Sequence, residues 1–230
     1  MNLADVHEVI YTKEATEEKY NSASDYYHLI MGVFEIKPNK EALDLVDIKN
    51  GERVLDVAFG TGWVLEKIVR YVGPTEKIYA IDFSLDMHRV AKERLKKEKM
   101  EERIIFTRAN ALSMPYKDNF FDVVFASFIV DLQKIKDIQI LLREIKRVLK
   151  PTGRAVIVAM TKEGKGLKKL ARCFYDWFYS FWPTIFGYRA SSRPIYVNKE
   201  IEKAGFIITK EKLSHIVFFN FPIKIVVCKK

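Results

Sequence analysis

The chain has 230 residues, of which 49% are hydrophobic and 13% aromatic, enough for one α/β domain with a real core and appended helices. A formal net charge of +9 suggests an anionic partner, whether nucleic acid, membrane surface or acidic small molecule, although Lys-, Glu- and Ile-rich chains are also common in heat-adapted organisms. No apolar run reaches about 18 residues, so no membrane-spanning segment is expected, and the polar, charged start does not read as a signal peptide.

Residues 3–36 are expected to be helical, with Tyr20, Tyr26, Tyr27 and Phe34 among polar positions. From Arg53 short apolar runs alternate with longer amphipathic ones. "RVLDVA" reads as a strand and "GWVLEKIVRYV" as a helix. "KIYAID" is a second strand and "SLDMHRVAKERLKKEKM" a second helix. "IIFTRAN" and "FDVVFAS" are the third and fourth strands. "IQILLREIKRVLK" is a helix stopped by Pro151 and Gly153, and "RAVIVAM" is a fifth strand. This alternation argues for βαβ units and a parallel sheet covered on both faces. Residues 164–193 are basic and aromatic, with no strand signal. "NKEIEKAGF" is a short helix with Gly205 as its C-terminal cap. "FIITKEKL" and "HIVFFNFPIKIVVCKK" close the chain as an antiparallel pair of strands, with Pro222 suggesting an edge or a bulge. The expected division is a helical cap over 1–49, a core over 50–160, an aromatic and basic lid over 161–193, and a closing helix and strands over 194–230.

"DVAFGTGW" lies between a strand and a helix, at the carboxyl edge where α/β sheets bind ligands. Gly60 and Gly62 can adopt angles closed to other residues and let a ligand approach the main chain beside a helix N-terminus. The plain alternative is a tight βα turn. The next strand ends in Asp82, whose carboxylate can accept two hydrogen bonds from ribose hydroxyls. By itself Asp82 is equally an ordinary solvated acid near a helix N-terminus; joined to the glycine loop it indicates a nucleoside-containing ligand. A dinucleotide site would favour a third glycine, and that position is Leu65. Asp56, just before the loop, suits a cationic ligand carrying an amino group better than a pyrophosphate.

"VLDVAFGTG" resembles the first motif of the class I S-adenosylmethionine-dependent methyltransferases. With Ala58 in place of the first glycine it is similar to the ubiquinone/menaquinone-biosynthesis and phosphatidylethanolamine methyltransferase branch. "IDFSLDM", "ANALSMPYKDNFFDVVFAS" and "LLREIKRVLKPTGRAVI" resemble the later motifs in order, so the likeness covers roughly residues 50–160. It implies a Rossmann-like, seven-stranded, mostly parallel sheet with helices on both faces and an antiparallel last strand. It implies S-adenosylmethionine as cofactor. Asp56, Ala58 and the Gly60–Gly62 backbone would hold its methionine part and Asp82 its ribose. Phe83 and Met87 would sit beside the adenine, Asn110 and Ala111 at its edge, and Ser127 on the floor beside the methyl group. Asn110 stands where family members often have Asp, so the adenine amine would meet an amide oxygen. Thr152 replaces the first glycine of "PGG".

Methyl transfer is an in-line displacement in which alignment and exclusion of water do most of the work, and a base is needed only if the acceptor must lose a proton. His7, His28, His88 and His215 show no partnership in sequence, so no catalytic residue is named. Cys173 and Cys228 read as free thiols in a reducing compartment, with no metal-type spacing. "YNSASDYYH" resembles "YDxIAxxYD" of the quinone and phosphatidylethanolamine methyltransferases, which places Tyr20 and Tyr27 at the acceptor or merely in packing; Asn21 and His28 depart from it. Leu167, Leu170, Phe174, Trp177, Phe178 and Phe181 recur at helical spacing beside Lys165, Lys168, Lys169 and Arg172. Such a stretch either lies on an anionic membrane or closes the pocket as a lid, and Phe174 and Trp177 are candidate acceptor contacts. "SRPI" also resembles the phospholipid-methylating branch.

The expected function is methyl transfer to a small, apolar or lipid-like acceptor, a quinone-type ring or a phospholipid amine headgroup, in a cytoplasmic protein able to sit at the inner membrane face. The alternatives are a soluble small-molecule acceptor and a non-catalytic cofactor-binding or membrane-associated protein of the same fold. Nucleic acid is not the expected partner, because no "NPPY" or cysteine-nucleophile motif accompanies the charge.

Overall fold

The computed structural model describes residues 25–74, 76–163, 193–216 and 221–230, with side chains from residue 35 onwards. In chain order the elements are α1 (Asp25–Val46), β1 (Val54–Val57), α2 (Trp63–Tyr71), β2 (Ile78–Asp82), α3 (Leu85–Lys97), β3 (Ile104–Arg108), β4 (Phe121–Ser127), α4 (Ile135–Val148), β5 (Leu149–Met160), α5 (Val197–Lys203), β6 (Ile207–His215) and β7 (Pro222–Lys229). Short 3-10 turns occupy Glu101–Arg103 and Val130–Leu132.

Seven strands form one sheet in the order β3-β2-β1-β4-β5-β7-β6. β1 to β5 are parallel, and β7 runs antiparallel between β5 and β6. All four residues of β1 are buried, as are five of the seven in β4, which is why both read as nearly continuous apolar runs. Each helix buries one stripe: Val64, Leu65, Ile68 and Val69 in α2, and Ile138, Leu141, Leu142, Ile145 and Val148 in α4. The two apolar clusters lie on opposite sides of the sheet. One takes in Leu43, Leu65, Leu95 and Phe125, the other Leu55, Val124, Leu142 and Ile201. β1 pairs with β2 on one side and β4 on the other, so strand order reverses there, and the crevice at its carboxyl end is the place where such sheets bind ligands.

Three features differ from expectation. α1 continues past residue 36 to Val46, with Pro38 inside it. Pro222 does not mark an edge: β7 lies inside the sheet, and the proline is its first residue, where no ladder hydrogen bond is lost. β5 begins directly at Leu149 and contains Pro151 to Gly153. Leu149 pairs with Phe121, and the register then jumps to Val123 opposite Arg154, so the "PTG" turn is a bulge within a strand. Gly205 follows α5 in the left-handed region (φ 80°), as a helix-ending glycine should.

Candidate active site at the carboxyl edge of the sheet

The chain leaves β1 through three left-handed residues, Ala58 (φ 59°), Gly60 (φ 53°) and Gly62 (φ 76°). The two glycines do different things. A side-chain carbon added at Gly60 would meet nothing within 4 Å, so its backbone faces open space. One added at Gly62 would lie 2.9 Å from Cβ of Ala91, so Gly62 lets α3 approach the start of α2. The open face is therefore at Gly60, while a Cβ-free position at Gly62 also serves packing. Ala58 holds its strained angle while its N–H donates to the Ile81 carbonyl at 2.7 Å, tying the loop to β2.

Asp82 braces the loop from the next strand. Its Oδ2 accepts from Gly60 N at 3.1 Å and its Oδ1 from Ser84 N at 2.9 Å. Burial lifts its carboxyl, partly offset by those two N–H groups and by His88. The carboxylate is thus fixed in orientation, and each oxygen keeps a lone pair for a diol. Asp56 is only 2% exposed, and its Oδ2 has no hydrogen-bond partner. Burial, with the Asp82 charge adding, pushes its carboxyl up to about 8. A buried acid without a partner is costly unless something completes it, and an ammonium group is the natural complement. Asp56, the open face at Gly60 and the oriented Asp82 fit a molecule with an amino group at one end and a ribose further on, as S-adenosylmethionine has.

Phe83 follows Asp82 directly. Met87 is almost fully buried in the first turn of α3, and its N–H donates to the Ser84 cap. Beyond β3, Asn110 and Ala111 lie in the loop to β4, and Asn110 Oδ1 accepts from Leu112 N at 3.0 Å. The amide oxygen expected to face the adenine amine therefore already has a local partner, with one lone pair left. This loop is clamped from α4. Arg147 donates to the carbonyls of Met114 (2.9 Å) and Tyr116 (2.7 Å) and to Asp118 (2.7 Å), while Glu144 accepts from Met114 N at 2.8 Å and pairs with Arg147.

Across the crevice, Val57 pairs with Ala126, which brings Ser127 level with Ala58. Ser127 donates to Asn39 Oδ1 of α1. One helical turn earlier on α1, burial and the nearby Asp131 charge push the Glu35 carboxyl up to about 8, although Glu35 is only partly buried. Asp131 is fully buried in the turn after β4. Its Oδ2 accepts from Met160 N at 3.2 Å, and its carbonyl accepts from Arg193 Nη1 at 3.2 Å. Among the described residues no group of His, Cys, Asp and Glu could hold a metal ion, and Cys228 is a free, buried thiol.

A model of the ubiE/COQ5 methyltransferase family matches residues 9–203, most of the chain. The chain belongs to that family. It is thus a class I S-adenosylmethionine-dependent methyltransferase. It is 26% identical over 226 residues to a ubiquinone/menaquinone biosynthesis C-methyltransferase of Saccharophagus degradans, covering 87% of this chain and 89% of that protein. It is 28% identical to a demethylmenaquinone methyltransferase of Anoxybacillus flavithermus, covering 76% of this chain and 74% of that one. Among solved structures, a SAM-dependent methyltransferase from Aquifex aeolicus superimposes with a TM-score of 0.61 at 22% identity, covering 92% of this chain and 97% of that one, a likeness of fold.

In this methyltransferase the structure gathers Asp56, Ala58, Gly60, Asp82, Phe83 and Met87 around the end of β1 and β2, with Ser127 level with them on β4 and Asn110 and Ala111 on the loop after β3. Phe174, Trp177, Cys173 and the lid over 164–192 lie outside the described residues, as do Tyr20 and the side chain of Tyr27. His88 was missed in the sequence. Its Nε2 donates to the Asp82 carbonyl at 3.0 Å, and its ring stands edge-on to Phe59, centroids 4.9 Å apart. The available signal was its place one turn after the Ser84 cap. Glu35, Asn39 and Asp131 were missed too, and no local pattern marks them.

Proposed function

We propose that this methyltransferase moves a methyl group to a ring carbon of a quinol-type, lipid-like acceptor. The observation that carries the acceptor is the extent of the family match. It runs from residue 9 to residue 203, taking in the N-terminal segment and residues 164–193 as well as the cofactor core. Two relatives matched over most of their length are named for ubiquinone/menaquinone and demethylmenaquinone methylation.

S-adenosylmethionine supplies a methyl group on a sulfonium. In the proposed site Asp56 takes its amino group, the Gly60 backbone lies against its methionine part, and Asp82 takes the ribose hydroxyls. Phe83 and Met87 flank the adenine, Asn110 and Ala111 border its edge, and Ser127 lines the floor. Gly62 and Ala58 shape the loop. On the acceptor side Tyr20, Tyr27, Phe174 and Trp177 remain our candidates within the cap over 1–49 and the lid over 161–193. The basic, aromatic composition of that lid supports contact with an anionic membrane surface, where a long-tailed quinol resides. The enzyme would then work at the cytoplasmic face. No described helix is long and apolar enough to cross a membrane.

The test is calorimetry with S-adenosylhomocysteine, followed by incubation with labelled S-adenosylmethionine and reduced demethylmenaquinone in vesicles. Binding and a product one methyl group heavier on the ring are expected. Binding with label appearing only in phosphatidylethanolamine would overturn the acceptor, and absence of binding by folded protein would overturn the cofactor site.

A further inference from the structure

We propose that Glu35 takes the hydroxyl proton of the methyl acceptor, held over the end of β4 by the Asn39–Ser127 hydrogen bond and faced by Asp131. This rests on the quinol reading above. Side chains four apart on a helix share a face, so Glu35 lies one turn beyond Asn39 on the side of α1 turned to β4. Ser127 at the foot of this contact is level with the glycine loop across β1. The helical spacing thus places Glu35 one turn above this contact, on the side of β1 opposite Asp82.

The charges around it are arranged for this task. Asp131 is fixed by Met160 N and backed by Arg193. The other charged groups of this part of α1 face elsewhere: Lys37 reaches His215, and Glu41 pairs with Lys212, both on β6. Burial, with the negative neighbour adding, raises Glu35 to about 8, where it holds a proton far better than an ordinary carboxylate. Proton transfer is most efficient when acid and base are close in strength, and a phenol is a weak acid. In the step, the acceptor O–H bond breaks and its electron pair stays on the acceptor oxygen. A Glu35 carboxylate oxygen gains the proton. The ring carbon beside that oxygen, now the stronger nucleophile, would bond to the methyl carbon as the methyl–sulfur bond breaks with its electron pair on sulfur. The hydrogen on that ring carbon leaves to solvent as a proton, its pair restoring the aromatic ring and the phenolate, and Glu35 returns its proton to the phenolate oxygen.

The test compares wild-type protein with Glu35→Gln, full chain, on reduced demethylmenaquinone between pH 6 and 10. Wild-type kcat/KM is expected to rise with pH through about 8. Glu35→Gln should lose about 100-fold or more in kcat and lose that rise, the scale of a missing general base. Its affinity for S-adenosylhomocysteine by calorimetry should be unchanged. A nitro-substituted naphthol, already ionised at the assay pH, should be methylated equally by both proteins. An unchanged kcat and pH profile in Glu35→Gln overturns the assignment, and so does equal loss on the nitro-substituted acceptor. Wild-type protein that binds S-adenosylhomocysteine but methylates no quinol overturns the acceptor reading and this assignment with it, so the two failures are told apart.

Discussion

Replacing Asp56 by Asn should stabilise the cofactor-free protein and weaken cofactor binding. In the folded chain the carboxyl titrates at about 8; its ordinary value is 3.8. Below the ordinary value both states are protonated and nothing is lost. Between the two values the unfolded chain ionises and the folded one does not, so stability falls as pH rises, by ~1.4 kcal/mol per unit. The accumulated cost is roughly 2 kcal/mol at pH 5 and roughly 4 kcal/mol at pH 7. Above about 8 both states are ionised and the cost is constant. Asn carries none of this pH dependence. The assay is urea unfolding of both proteins at pH 5 and pH 7 without cofactor. The advantage of Asp56→Asn should grow by roughly 2–3 kcal/mol between the two pH values. Calorimetry in two buffers of different ionisation enthalpy adds a second arm. At pH 6.5 cofactor binding to wild type should release close to one proton, and binding to Asp56→Asn should be weaker and release none. A stability difference that does not change with pH would refute the reasoning.

Four further substitutions test the loop and its scaffold. Ala58→Gly relieves a left-handed alanine, worth ~1–2 kcal/mol, against ~0.5–1 kcal/mol of added chain entropy, so the unfolding midpoint should rise slightly. Gly62→Ala meets both a positive φ and the Ala91 Cβ, and should cost ~2–4 kcal/mol in urea unfolding; Gly60→Ala should cost less stability but more cofactor affinity, and the reverse ranking would contradict the division of labour. Arg147→Ala removes the clamp on the loop after β3. It should cost ~2–3 kcal/mol and speed hydrogen exchange at the amides of 110–116, with unchanged exchange there showing that the loop holds itself.

The strands and the helices of the core were readable, and the residues proposed for the cofactor could be placed at one edge, because their signals are local. The apolar run of β1, the glycine loop and Asp82 at the tip of β2 fall within thirty residues, and their spacing alone places them at one edge. The helix over 135–148 announces itself by a stripe at helical spacing. What escaped depends on partners far away in sequence. Asn39 meets Ser127, and Arg193 meets the carbonyl of Asp131, contacts that no periodicity encodes. Glu35 looks like any helical glutamate until α1 is laid over the sheet, where its burial, and after that the charge of Asp131, makes the difference. Pro222 misled because a proline in an apolar run signals an edge; at the first position of a strand its missing N–H costs nothing. Ala58 concealed its strain because alanine is unremarkable in a sequence and its φ is visible only in the fold.

The two sides of the crevice are also encoded differently. Most residues of the proposed cofactor cradle lie in one stretch, from Val54 to His88, joined by Asn110, Ala111 and Ser127 from further along the chain, whereas the proposed acceptor side takes Glu35 and Asn39 from α1 and Asp131 from the turn after β4. A genetic exchange of the segment encoding α1 would leave the stretch from Val54 to His88 unaltered in sequence. Such a graft must keep an acceptor for Ser127 at position 39, core side chains in place of Ala42, Leu43 and Val46, and partners for His215 and Lys212. On the proposed division, one acceptor chemistry can be traded for another by recombination at this helix, keeping the same methyl donor throughout.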